Sequence, residues 1–177
     1  MDCNPELIAA AQNNTDKLGF SDRFALHTGE LADTRFLEKL RMEASPVQLV
    51  MANPPWRLVG SGRLPATEAR RKALFGDKGT FPLFASAASS LLEEDGRFAC
   101  IISPDRLQDM LAALDGAGLT PYLLQYIHKQ KASPATFVLI EARKGAHAKP
   151  SVAEPIALYG PERFFTLESL AFCPFLR

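Results

Sequence analysis

The sequence predicts an α/β fold, a mostly parallel sheet with helices on both faces and an antiparallel hairpin towards the carboxyl end. Short apolar segments alternate with segments of helical periodicity, which is the pattern of strand, crossover helix and parallel strand. One apolar segment, Val47–Ala52, runs straight into Asn53-Pro54-Pro55-Trp56, where two consecutive prolines forbid either regular structure to continue. Two later apolar segments follow one another with no helix between them, so they pair antiparallel.

Taken in order, "PELIAAAQNNTDKLG" opens on a proline suited to a first helical turn, carries Leu7, Ile8, Ala11 and Leu18 at helical spacing, and closes on Gly19 as a C-cap. "RFALHTG" reads as a short strand, "DTRFLEKLRMEA" as a short helix opened by Asp33, and "VQLVMA" as a buried strand. A polar, glycine-containing loop follows the prolines. "FPLFASAASSLLEEDG" reads as a helix ending at Gly96, "RFACIIS" as a strand, and "DRLQDMLAALDGAG" as a helix with Leu107, Met110, Leu111 and Leu114 on one face. "PYLLQYIHK" and "TFVLIEARK" form the hairpin, with Ser133 at its turn and Phe137 in its core. The tail offers one more short strand and a helical turn.

With 177 residues, 47% of them apolar, the chain has the size of one domain with its own core, residues 1–177. Cys3, Cys100 and Cys173 are far apart and show no CxxC spacing, and His27, His128 and His147 are scattered, so neither a disulfide framework nor a metal site is expected. A cytoplasmic protein without membrane contact fits the composition and the lack of a long apolar run. The 20 basic and 20 acidic residues cancel, which by itself argues against a nucleic-acid partner. Their distribution is uneven, with Arg57, Arg63, Arg70, Arg71, Lys72 and Lys78 against Glu68 and Asp77, and a second basic excess from Lys129 to Lys149. Such runs are equally the mark of solvated surface.

In parallel sheets, ligands bind outside the carboxyl ends of the strands, and Asn53 stands at such an end. "NPPW" after an apolar strand resembles the [N/D]PP[Y/F/W] motif of S-adenosylmethionine-dependent amino methyltransferases. "NPPWRLVGSGRLPATEARRKAL", "ASSLLEEDGRFACIIS" and "LTPYLLQYIHKQKASPATFVLIEARKG" resemble, in order and spacing, the bacterial adenine-N6 methyltransferases of valine tRNA, from Asp2 to about Gly145. The resemblance implies a Rossmann-like class I methyltransferase sheet, S-adenosylmethionine as cofactor and tRNA as partner. The motif alone is shared with DNA and rRNA adenine methyltransferases and with protein-glutamine methyltransferases.

The chemistry explains the residue types. An exocyclic amine is a poor nucleophile because its lone pair is delocalised into the ring. The Asn53 side-chain oxygen and the Pro54 carbonyl suit its two hydrogens, aiming the lone pair at the methyl by positioning and electrostatics. Pro54 and Pro55 keep that geometry rigid, and Trp56 offers a flat face to an extruded base. By the same resemblance Asp2 is the acid for the cofactor ribose, Glu30 and Leu31 contact its adenine, and Asn53 counts among the cofactor residues as well. Arg63, Arg70, Arg71, Lys72, Lys129 and Lys131 are the candidates for tRNA phosphates.

The resemblance also implies that the first strand, its cofactor glycine loop and nearly all of the second strand are missing. Gly60-Ser61-Gly62 follows NPPW and Gly116-Ala117-Gly118 closes a helix, so neither replaces that loop. Val47–Ala52 is then expected to lack a neighbour on one side. Protein-glutamine N5 methylation and a non-catalytic fragment that binds RNA or a partner remain as alternatives.

Overall fold

A computed structural model describes residues 1–44, 46–58, 65–145, 149–162 and 164–173. The chain divides into two compact units, Met1–Ala44 and Ser45–Arg177.

In the first unit, α1 (Pro5–Leu18) starts as expected: the Asn4 side chain accepts from the Glu6 backbone N–H, with Pro5 in the first turn. It ends on Gly19, whose φ of +70° is the left-handed C-cap that a side chain resists. Leu7 and Leu18, two residues of its apolar stripe, remain exposed. The Asp33 carboxylate accepts from the backbone N–H groups of Arg35 and Phe36 and so opens α2 (Thr34–Ala44).

The expected strand "RFALHTG" does not form. A 3₁₀ turn at Ser21–Arg23 leads into extended chain that makes one isolated parallel bridge, Thr28 with Asp2. The Asp2 N–H donates to the His27 carbonyl at 3.2 Å and the Gly29 N–H to the Asp2 carbonyl at 3.1 Å. A strand is defined by its ladder, and here the ladder has one rung.

The second unit holds the main sheet. Its strands are β1 (Val47–Ala52), β4 (Leu92–Ile102), β5 (Leu119–Gln130), β6 (Ala135–Lys144), β7 (Ser151–Val152) and β8 (Ile156–Tyr159). The order is β1-β4-β6-β5-β7, with β8 also on β5. Only β6 runs against the rest among these strands: β1 is parallel to β4, β7 and β8 are parallel to β5, and β6 is antiparallel to both β4 and β5. The α/β class, the mostly parallel sheet flanked by helices and the hairpin are therefore as the sequence predicts. The tail differs by supplying two short strands rather than one, before α6 (Leu167–Phe172).

Two short strands, β2 (Arg57–Leu58) and β3 (Phe75–Gly76), pair with each other. Between them the expected loop contains a helix, α3 (Glu68–Leu74), because the Thr67 side chain accepts from the Arg70 N–H and caps a run of good helix formers.

Helix α4 (Thr80–Leu91) stops before the predicted Gly96, since Leu92 already pairs with Val47. The next rung is Leu49 with Arg97, so Glu93–Gly96 form an irregularity inside β4, with Asp95 at a φ of +63°. What ends the helix is distant in sequence. The Lys144 ammonium donates to the Ser89 and Leu92 carbonyls at 3.0 and 2.8 Å, a cation at a helix carboxyl end.

Alternate residues of β4 and β6, among them Phe98, Ile102, Val138 and Ile140, are buried in one cluster with Phe81 and Ala85 of α4 and Met110 and Leu114 of α5 (Leu107–Gly116). A ring such as Phe98, fully buried, contributes about 3–5 kcal/mol. Ala99, Ile101 and Leu139, on the opposite face, are half-buried. β1 forms where expected but is not the buried strand its apolar run suggests: it is an edge of the sheet, with β4 its single neighbour among the described strands, and Leu49 and Met51 are 43% and 75% exposed.

Cys100 lies in this core, and burial pushes its thiol up from 9.0 to about 12. Its neutral form is thus favoured in the fold, so the associated stability is complete below the unfolded thiol's pKa and is lost as pH rises from there towards about 12. We predict that urea unfolding between about pH 8 and about pH 10 shows a loss larger by about 1–2 kcal/mol in the wild type than in Cys100→Ala. Equal losses in both would contradict the burial of this thiol.

Candidate active site

The register places the ends of several strands together. Ala52 pairs with Cys100, Ile102 with Val138 and His128 with Ala135, so the carboxyl ends of β1, β4 and β5 and the start of β6 lie at one end of the sheet. Asn53-Pro54-Pro55-Trp56 leaves β1 at this end.

The corner is graded in burial. Asn53 is exposed, and its side chain makes no hydrogen bond to another described residue. Pro54 is fully buried, and Pro55 and Trp56 are half-buried. The Trp56 indole meets the Phe137 ring edge-on, with centroids 6.2 Å apart at 73°, and packs against the core cluster. The Arg57 guanidinium lies over the same indole, 5.2 Å from its centroid. Trp56 is thus partly a core residue, and one of its faces is already met by a cation.

Since Pro54 and Pro55 have no N–H, the corner is held from outside. On the turn after β4, Arg106 is only 4% exposed, and its Nη1 donates to the Trp56 carbonyl at 2.8 Å. Its Nε donates to Asp109 Oδ2 at 2.7 Å, and its guanidinium carbon lies 4.5 Å from the Phe81 ring centroid. Gly76 supplies the second support: a Cβ there would stand 2.5 Å from the Pro55 carbonyl oxygen and 2.6 Å from Thr80 Oγ1. The Thr80 hydroxyl donates to Asp77 Oδ1 and accepts from the Asp77 N–H, fixing the start of α4 beside the corner.

Sequence reasoning missed Arg106 and Gly76. Arg106 had a signal, an arginine three residues before an acid where a helix opens, but its long-range acceptor is fifty positions away. Nothing local marked Gly76.

The other predicted residues fall as follows. Arg70, Arg71 and Lys72 are exposed on α3, which β2 and β3 tie to the chain leaving the corner. Lys129 and Lys131 are exposed at the β5–β6 turn, where His128 Nδ1 contacts the Ser133 carbonyl at 2.7 Å. None of these five is in an ion pair with a described residue. Arg63 and His147 lie outside the described residues.

In the first unit Asp2 is half-buried, and its Oδ1 accepts from the Asn4 N–H at 2.8 Å. The Thr28 bridge brings Asp2 to the segment that continues into Glu30, exposed, and Leu31, half-buried. Asp2, Glu30 and Leu31 therefore share one unit. A carboxylate with one oxygen committed and the other not is a suitable acceptor for a hydroxyl.

A hollow of about 590 Å³ lies along α4 and α5, lined by Leu58, Pro82, Ser86, Ala112, Ala113 and Gly116 among others, and it does not include Asn53. The lining also includes Lys78 and Asp109, whose carboxylate accepts from Arg106, and we place the site at the corner because the Asn53 amide and the Pro54 carbonyl stand there. Among the described residues no group of histidine, cysteine, aspartate and glutamate is placed to hold a metal, and no helix is long and apolar enough to cross a membrane.

No family model and no curated protein matches the sequence. Solved structures do match. A predicted O-methyltransferase from Agrobacterium tumefaciens superposes with a TM-score of 0.68 at 21% identity, over 98% of this chain and 73% of that one. The fold is methyltransferase-like. The M protein of the type I restriction enzyme EcoKI matches with a TM-score of 0.54 at 17% identity, over 98% of this chain and 38% of its own. A modification subunit of a putative type I restriction enzyme from Vibrio vulnificus YJ016 gives 0.50 at 12%, over 93% and 37%.

Gly76→Ala tests the corner's packing. The added methyl must displace the Pro55 carbonyl or Thr80, so it is expected to cost about 1–3 kcal/mol in thermal or urea unfolding and to shift the Trp56 fluorescence. A variant with wild-type stability and spectrum would show that Gly76 does not support the corner.

Proposed function

We propose that the chain belongs to an S-adenosylmethionine-dependent methyltransferase that transfers a methyl group to the exocyclic N6 amine of an adenine in tRNA. The observation that carries this reading is Asn53, an exposed amide with no side-chain hydrogen bond among the described residues, at a strand's carboxyl end next to a buried and externally clamped proline corner.

When bound, S-adenosylmethionine supplies an electrophilic methyl on a sulfonium sulfur. The Asn53 side-chain oxygen accepts one amine N–H and the Pro54 carbonyl the other, which turns the nitrogen lone pair towards that methyl. The cofactor would supply the methyl and keep the C–S electron pair, and the amine would give up one proton to solvent. Trp56 and Phe137 give the base an aromatic wall, with Arg57 over the indole to stack or move aside. Asp2 would accept from the ribose hydroxyls, with Glu30 and Leu31 at the cofactor's adenine; Asp2's pairing with Thr28 supports this assignment.

The acceptor is argued from charge. Arg70, Arg71 and Lys72, exposed on the helix tied to the corner and in no ion pair with a described residue, suit a polyanion better than a protein glutamine. Lys129 and Lys131 add to the same end of the sheet, and the choice of tRNA rests on those five cations together.

Asn53→Ala in the active chain is expected to lower methyl transfer about 10²–10³-fold, as when a single positioned polar group is removed from a reacting centre. Cofactor affinity, read by calorimetric titration, is expected to fall far less, since Asn53 is only one of the residues placed at the cofactor. Equal loss of both would make Asn53 a cofactor residue alone and remove the basis of the proposal.

A further inference from the structure

We infer that Arg106 is a positioning residue for this reaction: from its buried seat after β4 it holds the carbonyl of Trp56, and through it the Asn53 amide and Pro54 carbonyl that receive the amine. The inference rests on the function proposed above and adds a residue to it.

Two successive prolines remove two backbone donors, so Pro54 and Pro55 can be fixed only through their carbonyls and by what holds the residues beside them. Rigid φ angles then transmit any shift at Trp56 back to Asn53. The Trp56 carbonyl is the handle, and Arg106 Nη1 grips it at 2.8 Å.

Arg106 is itself unusually constrained. Its side chain is 5% exposed whereas that of Asp109, its partner, is 60% exposed, so the pair is not a sealed internal salt bridge. A cation in such a seat needs hydrogen bonds to every side it presents. Nε is taken by Asp109, Nη1 by Trp56, and the flat face lies on the Phe81 ring. This arrangement uses the planar fork of arginine, in which one donor is aimed by fixing another. Lysine retains the charge but has no second donor held in a fixed direction.

Trp56 is the chain's single tryptophan, so its fluorescence reads the corner without any need for turnover. The variants are Arg106→Met, Arg106→Lys and Asp109→Asn, each checked for folding by circular dichroism and thermal unfolding. In Arg106→Met we expect faster acrylamide quenching of Trp56 and a fall in kcat of about 10²-fold, the scale of a misplacement near 1 Å, with KM and cofactor affinity unchanged. Arg106→Lys should fall between, and Asp109→Asn should show the same pattern more weakly. If Arg106→Met does not fold, the other two decide.

Unchanged quenching and unchanged kcat in the folded variants would overturn the inference and leave the proposed function standing. A kcat that falls only in step with lost thermal stability, and returns on cooling, would overturn it too. If the wild type methylates no exocyclic amine, the proposed function fails on its own, and the quenching measurement still decides whether Arg106 holds the corner.

Discussion

The hydrogen bond from a buried guanidinium to the Trp56 carbonyl is the interaction on which the site depends. The pyrrolidine rings fix φ at Pro54 and Pro55 but remove two backbone donors, so the corner depends on bonds supplied from outside it. Arg106 supplies one from the end of β4, the strand paired with β1, and Gly76 and Thr80 close the remaining side. The parallel β1–β4 pairing, the turn after β4 and the start of α4 thus converge on a few backbone atoms. The hydrophobic core beneath them holds those elements in register, with Phe81 serving both as a core ring and as the surface on which Arg106 lies.

Position in the fold then separates roles. Pro54 is inside, Trp56 is at the boundary and Asn53 is outside. An amide in that outermost place has both its oxygen and its NH2 available to a ligand, and the carbonyl beside it belongs to a fully buried residue. Such preorganisation is what a weakly nucleophilic amine requires, since little is gained from a base when orientation limits the reaction. Exposed cations stand on α3, which β2 and β3 tie to the chain leaving the corner, and at the β5–β6 turn, although the chain as a whole is neutral.

Much of this was legible in the sequence, and the parts that were not share a cause. α1 and α2 carry their own caps, Asn4 with Pro5 and Asp33, and β1 and the β5–β6 hairpin carry their own apolar pattern, so local chemistry suffices for each. Arg23–Gly29 has a strand's composition but finds only the single residue Asp2 to pair with, and the end of α4 depends on Lys144 from another strand. The motif Asn53–Trp56 was readable as chemistry. The residues that hold it were not, because Arg106 and Gly76 act across distances in sequence that no local pattern records.

Fold alone does not choose between nitrogen and oxygen as the acceptor, and the chain superposes on a predicted O-methyltransferase as well as on modification proteins of restriction enzymes. The most direct measurement is transfer of isotopically labelled methyl from S-adenosylmethionine to unmodified tRNA, with a DNA duplex and a glutamine-bearing protein in parallel, followed by digestion and mass spectrometry of the products. The account predicts N6-methyladenosine from the tRNA. Label recovered on a ribose or other oxygen, with none on an exocyclic amine, would contradict it.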